Sequence, residues 1–240
     1  MDATEPLAGE PLATRLDRIR TRIADAATTV GRDPGGVLIV AVTKTHPVAT
    51  VRAARAIGLT DLGENRADEL VTKSDAIAAR WHLVGRLQRN KVRDVVGRAS
   101  LIHSVDRRSL VDAIAQRSSA LGIVQDVLLQ VNVGEDPAKG GCSLAELPDL
   151  VSYAGGSPDV RVVGLMTVPP LPGEGVAAAA AARPFFRALR EARDALRTDH
   201  PAVQELSMGM SDDLEAAVQE DATMVRIGSA LFGARGEDVG

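Results

Sequence analysis

Lys44 follows the apolar run Val37-Leu-Ile-Val-Ala-Val42 by two residues, in Ala41-Val-Thr-Lys-Thr-His-Pro47. A run so short and so rich in β-branched residues reads as a strand buried on both faces. An ammonium group at its end would stand beside packed apolar surface, which lowers its pKa and frees the amine to attack an aldehyde carbon. The plain alternative is a solvated lysine on a loop, and position alone does not separate the two. A second group of residues falls near the other end of the chain, in Leu206-Ser-Met-Gly-Met-Ser-Asp212 and Val225-Arg-Ile-Gly-Ser-Ala-Leu-Phe-Gly233. Ser207, Gly209, Gly228 and Ser229 offer hydroxyls and approachable backbone N–H groups, the parts of an anion-binding concavity. Each glycine alone is more often a turn. Together with a strand-end lysine they point to a phosphorylated ligand.

Other residues carry less. Asn65, at the end of Asp61-Leu-Gly-Glu-Asn65, is placed to hydrogen-bond a ligand hydroxyl, but asparagine at a strand end is also a common turn residue. His82 falls within a strand and reads as a core histidine with a satisfied hydrogen bond. His46, His103 and His200 show no ligand spacing with acidic or thiol partners, so no metal site is expected. Arg86, Arg89, Lys91 and Arg93, striped by Leu87 and Val92, read as a solvated helix face. Aromatic residues make up only 2% of the chain, which argues against base stacking on nucleic acid.

The elements that must position these residues alternate. Strand patterns fall at 37–42, 61–65, 81–85, 101–105, 126–133, 160–168, 204–208 and 223–231. A helical stretch separates each consecutive pair: Leu110, Val111, Ile114 and Ala115 recur at helical spacing in one, and Phe185, Leu189, Ala192 and Leu196 in another. Ser143 and Glu146 form a capping box. A leading helix carries Leu12, Leu16, Ile19 and Ile23 on one face, with Arg15, Arg18 and Arg22 expected on the other. Eight β-α units predict a parallel sheet, closed as a (β/α)8 TIM barrel over 12–235, with an open doubly wound sheet as the alternative. Residues 1–11 and 236–240 read as a loose terminus and a tail. In such barrels chemistry sits at the C-terminal strand ends, and phosphate sites often form after strands 7 and 8.

Composition narrows the function classes. The chain has 240 residues, 45% hydrophobic and 25% charged, which is ordinary for a globular protein. A formal charge of −4 gives no overall attraction to nucleic acid or an anionic membrane. Cys142 is the single cysteine, so no intrachain disulfide can form, and a reducing cytoplasmic setting is expected. No apolar run approaches the ~18 residues a spanning helix needs.

Ala41-Val-Thr-Lys44, Gly63-Glu-Asn-Arg66, Trp81-His-Leu-Val-Gly85 with Gln88-Arg-Asn-Lys91, His103-Ser-Val-Asp106, Gly164-Leu-Met-Thr167 and the two C-terminal segments quoted above resemble, in order, the motifs of the pyridoxal-phosphate homeostasis proteins, also called the PROSC or YggS family. The resemblance runs from about 37 to 235. It implies a barrel similar to the N-terminal domain of alanine racemase and pyridoxal 5′-phosphate (PLP) held as a Schiff base on Lys44. It further implies that Arg226 faces the pyridine nitrogen, that Ser207, Gly228 and Ser229 surround the phosphate, and that Asn65, Met166 and Met210 line the pocket. Leu62, where the family often has an aromatic residue, and Arg86 are small departures.

The function implied is management of the cell's PLP supply by buffering or delivery, with apo PLP-dependent enzymes as partners. The rival reading is an amino-acid racemase. In alanine racemase the second base is a tyrosine supplied by a separate domain of the partner subunit. This chain has one tyrosine, Tyr153, in a predicted helix between strands 5 and 6. An arginine opposite the ring nitrogen also disfavours the protonated pyridine that is the stronger electron sink. The expectation is a carrier, as a monomer, with no turnover of its own.

Overall fold

A computed structural model describes residues 10–170 and 175–233, with 175–178 described by backbone alone. The expected loose terminus and tail fall outside the described residues, apart from Glu10 and Pro11. Short β-branched and apolar segments form eight strands: β1 (Leu38–Val42), β2 (Asp61–Glu64), β3 (Arg80–Leu83), β4 (Leu101–Val105), β5 (Gln125–Gln130), β6 (Val160–Met166), β7 (Glu205–Ser207) and β8 (Met224–Ile227). They pair in sequence order, all parallel, and β8 returns to β1 through Val40↔Arg226 and Ala41↔Ile227, closing the barrel. Closure rules out the open sheet.

Parallel neighbours need crossovers. These are α2 (Val48–Ala56), α3 (Ala67–Ala76), α4 (Val92–Val95), α5 (Arg108–Leu121), α6 (Leu147–Gly155), α7 (Gly175–Leu196) and α8 (Leu214–Gln219), preceded by α1 (Leu12–Thr28). The bonds of the capping box form, with Glu146 accepting from the Ser143 N–H at 2.9 Å and its hydroxyl at 2.8 Å and the Ser143 Oγ accepting the Glu146 N–H at 3.2 Å, but they close the turn before α6, whose own N-cap is Glu146 without a side-chain cap bond. None of the helices among the described residues is long and apolar enough to cross a membrane.

Three details differ from the sequence expectation. The last strand stops at Ile227 and a short helix, α9 (Ser229–Phe232), replaces its expected end. Gly228 breaks the ladder there. Arg15 is buried on the inner side of α1 rather than on the outward face. On α7 it is Phe186, not Phe185, that lies fully buried beside Leu189.

The core has two parts. The larger lies between the barrel wall and the helices. A smaller cluster joins Val40, Leu101, Leu128, Met166 and Met224, which belong to five different strands and can meet only inside the barrel. Side chains two apart on a strand share a face. His82, His103 and Arg226 therefore point inward with Val84, Leu101 and Met224.

Candidate functional site

The site is assembled where β1, β2, β7 and β8 end. The β1–β8 register carries Val42-Thr-Lys44 and Gly228-Ser229 out of the wall side by side, and the Thr43 N–H donates to Gly63 O at 2.9 Å, which draws Asn65 alongside. Lys44 is exposed, and its amine forms no hydrogen bond or ion pair among the described residues. Of the two readings that its position left open, the exposed side chain matches the solvated lysine rather than one desolvated by packed apolar surface.

The turn that carries Lys44 is held rigidly from behind. Thr45 adopts φ 68°, a left-handed conformation that side chains other than glycine rarely take. Its N–H donates to Glu69 Oε2 at 2.7 Å. Lys73 is buried and donates to Thr43 O at 2.7 Å, Glu64 Oε1 at 2.6 Å and Glu69 Oε2 at 3.1 Å. Thr43 Oγ1 donates to the same Glu64 oxygen. Burial pushes the Glu64 carboxyl up despite these partners. Burial acts on Glu69 in the same sense, but the Thr45 N–H and Lys73 outweigh it and hold Glu69 below its ordinary value.

Arg226 occupies the barrel interior, 5% exposed. Its Nη1 donates to Ser207 O and Oγ, both at 2.7 Å, and its Nη2 donates to Thr167 O at 2.8 Å. Nε–H and the second Nη2–H have no acceptor among the described residues. Burial lowers its pKa to about 10, partly offset by Asp213, so the guanidinium remains charged at neutral pH.

The remaining expected residues separate by role. Ser207 is fully buried, and its hydroxyl lies between Arg226 and His103 rather than facing an anion at the mouth. Ser229 is exposed, Gly228 half-buried, and Ser229 Oγ lies 3.3 Å from Ser211 Oγ. Ser211, which also accepts the Ala230 N–H, was the hydroxyl that the sequence reading missed; its place in the Ser207-to-Ser211 motif was the available signal. Arg22 of α1 donates to Ser211 O at 2.8 Å and ties that loop to the leading helix. Gly209 turns this loop at φ +93°, where an added Cβ would lie 2.4 Å from Ala217 Cβ. Met210 is half-buried, with its N–H donated to Asp213. Met166 lies in the inner apolar cluster and Asn65 is half-buried. The ring of His46 packs on Phe232 with centroids 5.2 Å apart, joining the loops after β1 and β8.

An exposed primary amine, a buried guanidinium with two uncommitted N–H groups, and paired hydroxyls beside a glycine fit a phosphorylated aromatic aldehyde as a donor set. Two other reactive side chains among the described residues, Cys142 and Tyr153, lie apart from this group. Burial pushes the Cys142 thiol up to about 12. Tyr153 lies on the outer ring, its hydroxyl donating to Asp112 at 2.7 Å and Arg108 stacked over its ring. No group of three or more His, Cys, Asp or Glu among the described residues is placed to hold a metal ion.

Comparison with known proteins gives the family and the fold. The alanine racemase N-terminal domain family matches residues 14–236. A protein of Aquifex aeolicus named pyridoxal phosphate homeostasis protein is 43% identical over 228 residues, which cover 92% of this chain and 97% of that one. The crystal structure of an unknown protein from Bifidobacterium adolescentis superposes with a TM-score of 0.85 at 32% identity, covering 92% of this chain and 94% of that one. PipY of Synechococcus elongatus PCC7942, solved with PLP bound, superposes with a TM-score of 0.73 at 36% identity, covering 90% of this chain and all of its own. The chain therefore belongs to the pyridoxal phosphate homeostasis proteins, a family with the alanine racemase N-terminal domain fold.

Proposed function

We propose that this chain binds PLP at the barrel mouth as a Schiff base on Lys44 and buffers or delivers the cofactor in the cytoplasm, as a single monomeric barrel unit, without turnover of its own. The observation that carries the reading is the pairing of an exposed, unpartnered amine on a clamped turn with a buried guanidinium that keeps N–H groups free. The Lys44 amine adds to the aldehyde carbon, a C=N bond replaces C=O, and water leaves. Arg226 faces the ring nitrogen as a donor. Gly228 and Ser229, with Ser211 beside them, receive the phosphate, while Ser207 acts through its hold on Arg226. Asn65, Met166 and Met210 shape the pocket wall. Because Lys44 is accessible, free amines can exchange with it, the step that hand-over to an apo-enzyme requires.

The test is an absorbance spectrum of the protein with added PLP, borohydride reduction and peptide mapping. A visible band is expected, with the label on Lys44, and Lys44→Ala should lose both. A label on another lysine would overturn the assignment. Pyridoxal without its phosphate should bind far more weakly, since hydrogen bonds to a charged group contribute about 1.5–3 kcal/mol each. The racemase alternative needs a second base across from Lys44, and Tyr153 lies on the outer helical ring. Rapid stereospecific α-deuteration of an amino acid would replace the carrier reading with that one.

A further inference from the structure

Five polar side chains form one hydrogen-bonded line through the barrel. Asp61 Oδ1 lies 3.0 Å from His82 Nε2, His82 Nδ1 lies 3.0 Å from His103 Nε2, and His103 Nδ1 lies 2.9 Å from Ser207 Oγ, the atom that receives Arg226 Nη1. They come from β2, β3, β4, β7 and β8. All five are nearly or fully buried. We propose that His82 and His103, directed by Asp61, are positioning residues that present the Ser207 hydroxyl to Arg226 as an acceptor and so fix the guanidinium for its ligand, an inference that rests on the reading of Arg226 above.

The two ends determine the direction of the line. A guanidinium can only donate and an ionised carboxylate can only accept, while a neutral imidazole has one donor and one acceptor nitrogen. His82 must therefore donate from Nε2 to Asp61, which leaves its Nδ1 as an acceptor. His103 then donates from Nε2 and accepts at Nδ1, and the group facing that nitrogen is the Ser207 hydroxyl. With its proton turned toward His103, Ser207 offers lone pairs to Arg226.

The alternative order needs an additional proton inside the barrel. Where that proton would sit on His103, burial first of all, with His82 and Arg226 nearby, drives the ring's pKa far below its ordinary value and opposes it, and the ring tautomers report a proton placed on His82 instead. Burial works to raise the Asp61 pKa, but hydrogen bonds from His82 and Thr60 and the charge of Arg80 hold it below the ordinary carboxylate value. The order is worth fixing because no carboxylate pairs with Arg226 among the described residues. Its orientation depends on neutral acceptors, and only the Ser207 hydroxyl among them can rotate.

The experiment is ¹⁵N NMR of the histidine rings in ligand-free protein near neutral pH. Both His82 and His103 should be protonated on Nε2 with a bare Nδ1. An Nδ1–H tautomer or an imidazolium at either position would overturn the proposal. Two variants supply a second readout. His103→Gln keeps an acceptor for Ser207 and a donor for His82, whereas His103→Leu keeps neither. Arg226 N–H resonances should be resolved in wild type and His103→Gln and broadened by exchange in His103→Leu. PLP affinity should fall about tenfold in His103→Leu, the worth of one hydrogen bond to a charged group, and recover in His103→Gln. Identical Arg226 resonances in all three proteins would reject the idea. If His103→Leu does not fold, the wild-type tautomers still decide it. Failure of wild type to bind PLP would instead count against the proposed function and leave the tautomer result standing.

Discussion

Lys73 and Arg226 are both buried cations, one behind the Lys44 turn outside the barrel wall and the other inside it, yet their partners differ in kind. Lys73 gives its three donated bonds to two carboxylates and a carbonyl. Arg226 is held by one hydroxyl and two carbonyls, and keeps two N–H groups in reserve. The first arrangement pairs the cation with two carboxylates, leaving only Glu64 Oε2 of that carboxyl without a hydrogen bond, and ties down the backbone on which Lys44 stands. The second leaves a desolvated charge only partly compensated, a cost that a ligand acceptor would reduce. The difference separates a cation matched by opposite charge from one that keeps donors to spare.

Removing the first cation should have the largest effect. Lys73→Met leaves Glu64 fully buried without its partner, and breaking a buried pair from one side costs about 3–5 kcal/mol. Urea unfolding reads this directly. Adding Glu64→Gln to Lys73→Met should restore part of the loss, and no recovery would mean that the cluster is not an ion-pair clamp. Arg226→Met should cost less, about 1–3 kcal/mol, because it strands only neutral acceptors. A loss as large as that of Lys73→Met would erase the contrast.

A smaller effect concerns pH. His103 is held neutral well below its ordinary value, while in the unfolded chain it takes up a proton near pH 6.5. The unfolded state then binds more protons, so stability falls as pH drops below about 6.5, by up to about 1.4 kcal/mol per pH unit, until the folded pKa is reached. His46, lowered by burial and by Lys73, acts with the same sign. His103→Gln removes only the share of His103, so urea midpoints from about pH 7 to about pH 5 should slope less in the variant. Equal slopes would show that His103 is not a buried neutral base.

The alternation of strand and helix patterns already specified eight β-α units and a parallel sheet, though not its closure against an open doubly wound sheet, because hydrophobic periodicity is a local property of the chain. Lys44, Gly228 and Ser229 could be placed at strand ends for the same reason. His82 and His103 were legible only as separate histidines, the first as a core residue and the second as one without metal-ligand spacing. Their link depends on how far β3 is staggered against β4, with His82 opposite Leu101, and on the lumen that brings β4 to β7. Arg15 likewise read as an outward-facing helix cation, and nothing in the sequence singled out Lys73, since a charge in sequence does not reveal which side of its helix will be buried. The sequence by itself determined which residues could lie on one face of each element and at its end. The closed tertiary structure decided which of those faces meet, because strand register, barrel stagger and the pairing of buried charges are set by contacts between segments distant in the chain.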